Sequence, residues 1–376
     1  MRLVVATDVT VRGGVDTYVL AYLQTLREHG HDVVLLYERG TTSPIGRLAA
    51  LRGVESIPFP LYRKWHEQAD IESACRSIFA TLRPDGVHVV TGSPRSCLAL
   101  RTQVIASGLP LIITESQVSQ DLVLGSSERA EVRSSYEAAL AVIFVAEGNR
   151  RTMAEAVGID GVNDVLIPNG VDVDHLARHR RKTFRPQVPA RLVAVARLSP
   201  EKSLDTLVEA VGRLPCSYVG SLHIHGDGPA RGELSEKIEQ SGLAGRIHLH
   251  GWTGDVVSEL SRSDLFVLPS AAEGMPYALL EAMAVGLPIV CSDIPGNSEA
   301  LAAGSAGCLV PRLDPEALAG GIQDTLLNAD RAETRARVAL SKVQRDHNRA
   351  NQMAKTAQLW AGFSSEPEDR RYSAAR

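Results

Sequence analysis

RLVVATDVTVRGGVDTYVLAYLQTLREHGHDVVLLYE, residues Arg2 to Glu38, decides how the chain folds. It opens on a β-branched run that turns polar at Thr7 and Asp8. Apolar residues then recur at Val15, Tyr18, Val19, Tyr22, Leu23 and Leu26, the spacing of one helical face. Gly30 suits the position just past the helix end, and DVVLLYE reads as a second buried strand. A strand, a helix and a strand joined by short links predict a parallel α/β sheet. GVHVVTG, PLIITES and AVIFVAE continue the pattern.

Near residue 170 the texture changes. IPNGVDVDHLARHRRKTFRPQVPA is polar, basic and without periodicity, which predicts an interdomain connection. The alternation then restarts through RLVAVARL, SLHIHGDG, RIHLHGW, DLFVLPS, PIVCSD and GCLVP. The expected organisation is an N-terminal Rossmann-like domain over 1–173, a linker over 174–190 and a second such domain over 191–345. A helix over 346–363 and a frayed tail over 364–376 complete it. The fold class is α/β, with two doubly wound parallel sheets facing a cleft. Ligands of such sheets bind beyond the carboxyl ends of the strands.

Composition narrows the partners. A chain of 376 residues is long for one core. Its net charge of −4 argues against nucleic acid as the main partner and disfavours membrane attachment. The five cysteines form no C-x-x-C pair, so they read as free thiols of a reducing compartment, and the expected location is cytoplasmic. The apolar N-terminal run is too short for a signal or membrane segment.

Three stretches carry chemistry. In SAAEGMPYALLEAMAVGLPIV (Ser270–Val290), Pro276 suits the first helical position and Gly286 the stop, which puts Glu281 inside an apolar helix. Burying that carboxylate costs several kcal/mol, roughly, unless it is paired or hydrogen-bonded. Glu273 precedes the helix start, whose free amides and positive dipole end favour an anion. Two carboxylates flanking an anion site match a sugar, a diphosphate and a ribose diol. A structural ion pair between Glu281 and a buried arginine is the competing reading. In ARLSPEKSLDTL, Arg197 ends a strand, and Ser199 and Pro200 read as a helix cap and first residue. Lys202 then falls in the first turn, where it opposes the macrodipole unless an anion sits there. Two solvated surface cations are the alternative. Gly13 and Gly14 allow a phosphate to approach the backbone, although Thr17 stands where the third glycine of a dinucleotide fingerprint belongs. Asp172 and Asp174 imitate a metal pair but belong to the linker pattern. His223, His225, His248 and His250 alternate along two strands and read as cleft-rim or core residues rather than a metal cluster.

These motifs, with IPNGVDVDHL and HGDGP, resemble the retaining glycosyltransferases of family 4, which have the GT-B fold, over nearly the whole chain. The resemblance implies that Arg197 and Lys202 hold the donor diphosphate, Lys202 neutralising the leaving nucleotide. It implies that Gly13 and Gly14 approach the distal phosphate, with Gly226 beside the donor. Glu273 and the amides of Gly274, Met275 and Pro276 would bind sugar hydroxyls, and Glu281 the ribose diol. Trp252 or Thr253 would lie against the nucleobase. The helix over 348–363 would return to the N-terminal domain. Relatives usually carry a histidine after the strand written PLIIT; here stand Glu115, Ser116 and Gln117. Glu115 or Ser116 would take its place, or Glu115 would act as a general base in an inverting reaction. The acceptor would be read near Ser93, Arg95, Ser116 and Gln117, and around Tyr62–Trp65.

The reaction implied is sugar transfer, with retention, from a nucleotide-diphosphate sugar, UDP favoured, to a small soluble acceptor such as an aminocyclitol. Neither metal nor cofactor is expected. The alternatives are a lipid-linked or polysaccharide acceptor, a nucleotide-sugar 2-epimerase on the same fold, and a non-catalytic sugar-nucleotide binder.

Overall fold

The computed structural model describes residues 1–62, 68–361 and 363. The basic and aromatic residues Arg63 to Trp65, expected near the acceptor, lie outside them, as does the tail 364–376. The chain divides into two compact units, Met1–Pro168 together with the chain from Ala350, and Asn169–Arg349.

The first unit is built on seven strands: β1 (Arg2–Thr7), β2 (Asp32–Glu38), β3 (Glu55–Phe59), β4 (Gly86–Thr91), β5 (Leu111–Glu115), β6 (Ala141–Phe144) and β7 (Asp164–Leu166). All pair in parallel, in the order β3-β2-β1-β4-β5-β6-β7. The opening stretch folds as read. Tyr18, Val19, Tyr22, Leu23 and Leu26 of the helix Gly14–Glu28 are buried. Its end is closed by Gly30 at φ +80°, with His31 N–H donating to Leu26 O at 3.1 Å. That 6→1 bond satisfies a carbonyl the helix leaves unpaired.

The second unit has six parallel strands: β8 (Ala190–Val195), β9 (Val219–His225), β10 (Ile247–Gly251), β11 (Leu265–Leu268), β12 (Ile289–Ser292) and β13 (Cys308–Val310). Their order is β10-β9-β8-β11-β12-β13. Each sheet therefore reverses its direction of growth once, between β1 and β4 in the first unit and between β8 and β11 in the second. A crevice opens at such a reversal because the connections leave on opposite faces.

Two boundaries differ from the sequence reading. Unit two begins at Asn169, so 174–190 is packed structure rather than a free connection. Val173–Ala177 is helical, Phe184 is buried against Gly286, and Arg181 pairs with Asp264 at 3.3 Å. Sparse large apolar residues hid this anchoring from a periodicity argument. At the other end, the helix Arg349–Gln358 carries the chain back into unit one. There Trp360 is fully buried, donates to the Tyr22 hydroxyl at 2.8 Å, and fills space that only Gly86 leaves open. Among the described residues no helix is long and apolar enough to cross a membrane.

Candidate active site

In unit two the loops after β8, β9, β10 and β11 leave neighbouring strand ends. The loop after β8 holds Arg197 and Lys202. Pro200–Lys202 form a 3-10 turn, and the α-helix starts only at Leu204. This corrects the placement of Lys202 in the first turn of that helix. The break is Ser203, at φ +48°, a left-handed conformation that costs a non-glycine residue about 1–3 kcal/mol. It lets Lys202 turn back toward the β8/β11 reversal. Ser199 does not cap a helix with its side chain; its hydroxyl donates to Glu201 at 2.7 Å. Arg197 donates to Ser199 Oγ at 3.1 Å and pairs with Glu201. Burial pushes the Glu201 carboxyl up, but the bonds from Ser199 and Arg197 outweigh it and hold the group below its usual range.

The Ser270–Val290 stretch supplies the other wall. Lys202 Nζ meets Glu273 Oε2 at 2.9 Å, both side chains nearly covered. The second oxygen of Glu273 accepts from Ser270 Oγ at 2.8 Å. The α-helix spans Tyr277–Val285, so Pro276 is its cap and not its first residue, and Gly286 closes it at φ +80°. Proline has no amide hydrogen, which removes Pro276 from the expected amide donors. Among the described residues the amides of Glu273, Gly274 and Met275 donate to no protein group. Gly274 and Met275 are buried, where an unpaired amide is costly and marks a place for a ligand. The carbonyls of the same loop are gripped from behind: Ser270 O by Ser292 Oγ at 2.5 Å, Ala271 O by Arg312 at 3.3 Å, Met275 O by Asn169 at 2.7 Å. Gly296 packs so tightly under Gly274 that a Cβ would lie 1.7 Å from its carbonyl oxygen.

Glu281 is the fifth residue of its helix. Among the described residues its carboxylate has no hydrogen bond and no ion pair. Burial pushes its carboxyl up to about 7, against a weaker opposing pull from Arg349. The reading as a structural ion pair therefore loses its partner. Gly226, at φ +140°, would place a Cβ 1.8 Å from Ala196 O, and its amide donates to Gly251 O at 2.8 Å. It ties the loops after β8, β9 and β10 together. Trp252, half exposed, and Thr253, whose hydroxyl accepts from Asp255 N–H at 3.1 Å, lie in the loop after β10.

Unit one presents its expected residues at the ends of β1, β4 and β5. Gly14 opens the first helix, and Gly13 N–H donates to Asp16 at 2.7 Å. Asp16 was not anticipated, although a carboxylate three residues after a cap is a recognisable signal. Burial raises its carboxyl to about 6, against bonds from Ser43 and Gly13. Arg95 pairs with half-buried Glu128 at 2.8 Å, Ser93 N–H donates to Ser96 Oγ at 3.2 Å, and Ser116 Oγ is buried without a partner among the described residues. Gln117, next along, is half-buried.

Glu115 departs from expectation. It is fully buried, pairs with the equally buried Arg101 at 3.2 Å, and accepts from Tyr136 OH at 2.8 Å and Thr91 Oγ1 at 2.7 Å. Its carboxylate is enclosed by protein donors, so it is corrected from a catalytic candidate to a member of a structural network.

The decoys resolve too. Asp172 caps Val173–Ala177 by accepting from His175 N–H at 3.0 Å and pairs with Arg349 at 2.7 Å. The imidazoles of His225 and His250 stack at 4.6 Å, and those of His223 and His250 at 5.0 Å. Among the described residues no group of three or more His, Cys, Asp or Glu side chains could hold a metal ion.

Comparison with known proteins bears directly on this geometry. Residues 12–175 match the model described as Glycosyltransferase Family 4, and residues 175–342 the model described as Glycosyl transferases group 1. The chain belongs to this glycosyltransferase family. WcaL of Salmonella typhimurium, whose name carries a provisional assignment to colanic acid biosynthesis, is 35% identical over 189 residues. That match spans 48% of this chain and 46% of WcaL, less than half of each. The phosphatidyl-myo-inositol mannosyltransferase of Mycolicibacterium smegmatis is 29% identical over 348 residues, 85% of this chain and 83% of the relative. Among solved structures, Anabaena Alr3699/HepE in complex with UDP superposes with a TM-score of 0.78 at 16% identity, over 96% of this chain and 100% of that one. The fold of this glycosyltransferase is thus GT-B.

Proposed function

We propose that this chain transfers a sugar, with retention of anomeric configuration, from a nucleotide-diphosphate sugar to a hydroxyl of a glycan or lipid-borne acceptor. One observation carries the donor half. At the β8/β11 reversal, Lys202 and Glu273 form a nearly covered ion pair beside three unpaired amides. A structural ion pair needs no such row of donors; a diphosphate and sugar hydroxyls do. The Glu281 carboxylate, without a partner among the described residues, is an acceptor for a ribose diol. UDP is the favoured nucleotide, as in the HepE and TarM complexes.

The chemistry follows from charge. Departure of the diphosphate leaves an oxocarbenium-like sugar, and negative charge grows on the leaving group. Arg197 and Lys202 stabilise that charge more in the transition state than in the ground state. On this reading chelation with EDTA leaves turnover unchanged. The enclosure of Glu115 favours retention over inversion, because it ties up the carboxylate that the sequence offered as the general base of an inverting reaction.

On the acceptor, the names of the relatives support a lipid-borne or polysaccharide hydroxyl over the small soluble acceptor that net charge alone suggested. The test is incubation with UDP-glucose, UDP-N-acetylglucosamine and GDP-mannose, with and without phosphatidylinositol or oligosaccharide acceptors. Nucleotide release should depend on an acceptor, and the product should keep the donor's anomeric configuration by NMR. An inverted linkage, or epimerised donor without acceptor, would refute the reading.

A further inference from the structure

The chain passes between the two units twice, at Pro168/Asn169 and at Arg349/Ala350. On the unit-two side these passages are fastened to each other. Val171 N–H donates to His347 O at 2.9 Å, Arg349 N–H donates to Val171 O at 2.9 Å, and Val171 and Asn348 form an isolated parallel bridge. Arg349 pairs with Asp172 at 2.7 Å. A Cβ on Gly170 would lie 2.8 Å from the Arg349 backbone, so the two segments touch main chain to main chain.

Asn169 stands at the centre of this fastening and faces the donor loop. Its side chain is buried, and its Nδ2 donates to Met275 O at 2.7 Å across 106 residues. A carbonyl only accepts, so the amide orientation is fixed. The backbone carbonyl of Asn169 accepts from His347 Nδ1 at 3.0 Å, and His347 is buried in turn. Met275 belongs to the run whose amides are unpaired. Those amides stay aimed only if the carbonyls behind them are held. The Ser292 and Arg312 bonds hold Ser270 and Ala271, at the start of the loop. Asn169 holds the end nearest the helix.

We propose that Asn169 is a positioning residue for donor-sugar recognition: its side-chain amide, carried on a backbone held by His347 and the paired chain passages, keeps the Glu273–Met275 amides presented to the sugar. The proposal rests on the donor reading above. It differs from that reading in assigning a task to a residue that touches no ligand.

The test compares the full chain with Asn169→Ala and Asn169→Asp, neither of which can donate to Met275 O at neutral pH. Deuterium uptake across 270–280, measured without ligand, should rise in both variants and stay unchanged across 190–195. Affinity for free UDP should remain within about threefold, because Arg197, Lys202 and Glu281 are untouched. Affinity for UDP-glucose and its turnover should fall by about tenfold, the consequence of losing one buried hydrogen bond. Where the parent prefers GDP and GDP-mannose, that pair replaces UDP and UDP-glucose. Equal losses for nucleotide and nucleotide sugar, or unchanged uptake across 270–280, would overturn the positioning role. A parent chain that binds neither nucleotide sugar instead overturns the donor reading, while the uptake comparison still decides whether Asn169 orders the loop.

Discussion

The two sheet reversals are built alike and used differently. At β1/β4, the buried carboxylates are satisfied by protein donors. Asp8 accepts from Cys97 N–H at 3.0 Å, and Glu115 is enclosed by Arg101, Tyr136 and Thr91. At β8/β11, Lys202 and Glu273 pair, but the neighbouring amides and the Glu281 carboxylate are left without partners among the described residues. One architecture thus supports a closed polar network in unit one and an open, charged one in unit two. The contrast teaches that a buried carboxylate marks a ligand site only when its surroundings leave donors or acceptors unspent.

Breaking the closed network should have the largest effect. Arg101→Ala leaves the Glu115 charge buried without its counter-ion, and should cost about 3–5 kcal/mol of stability by denaturant titration. If stability changed by less than about 1 kcal/mol, the network would not be the structural element described here. Opening the other reversal should act on catalysis instead. Lys202→Ala should lower turnover by about 10²–10³-fold with little change in melting temperature. Near-normal turnover in that variant would remove Lys202 from the diphosphate.

Glu281 sharpens the comparison through pH. Its carboxyl lies near 7, and ribose hydroxyls bond best to the ionised form. Affinity for UDP-glucose should therefore weaken as pH falls below about 7, by up to about tenfold per unit. Glu281→Gln should bind more weakly at pH 8 and show no such slope; a slope that survives would place its origin elsewhere.

The smallest effect is on acid stability. Burial lowers His88 to about 3, and burial followed by the charges of Arg191 and neighbouring imidazoles lowers His223 to about 4. Between an unfolded value near 6.5 and these folded values the unfolded chain holds more protons. Stability from these groups is therefore intact above about pH 6.5 and drains as pH falls toward 4. Asp16 and Glu281, raised to about 6 and about 7, work in the opposite sense. His223→Gln should flatten the decline in melting temperature between pH 6.5 and 4.5; an unchanged slope would exclude His223 as a contributor.

Much of this was legible in the sequence for a physical reason. Central parallel strands are buried on both faces and write themselves as continuous apolar runs, as in RLVVAT and LIITE. The edge strands β3 and β7 went unread because Phe59 alone of their residues is buried, and β3 even contains Pro58, which an edge tolerates. Arg197, Lys202, Glu273 and Glu281 stood out in the sequence because each is a charge in a place that an anion or a hydroxyl ligand would explain. Glu115 was misjudged because its partners, Arg101, Tyr136 and Thr91, come from three separate elements, and no local pattern announces such a meeting. Asn169 was read as part of a connecting segment and of the motif IPNGVDVDHL, with no role of its own, since its partner lies 106 residues away.

Trp360 gives the order of synthesis a structural meaning. Its ring fills a socket formed by Tyr22 and Gly86, within the first quarter of the chain. As the polypeptide leaves the ribosome, the second unit has all of its strands before that ring is made. The first unit, although translated earliest, is the last to seal, and until then its socket is an exposed apolar surface for a chaperone to cover.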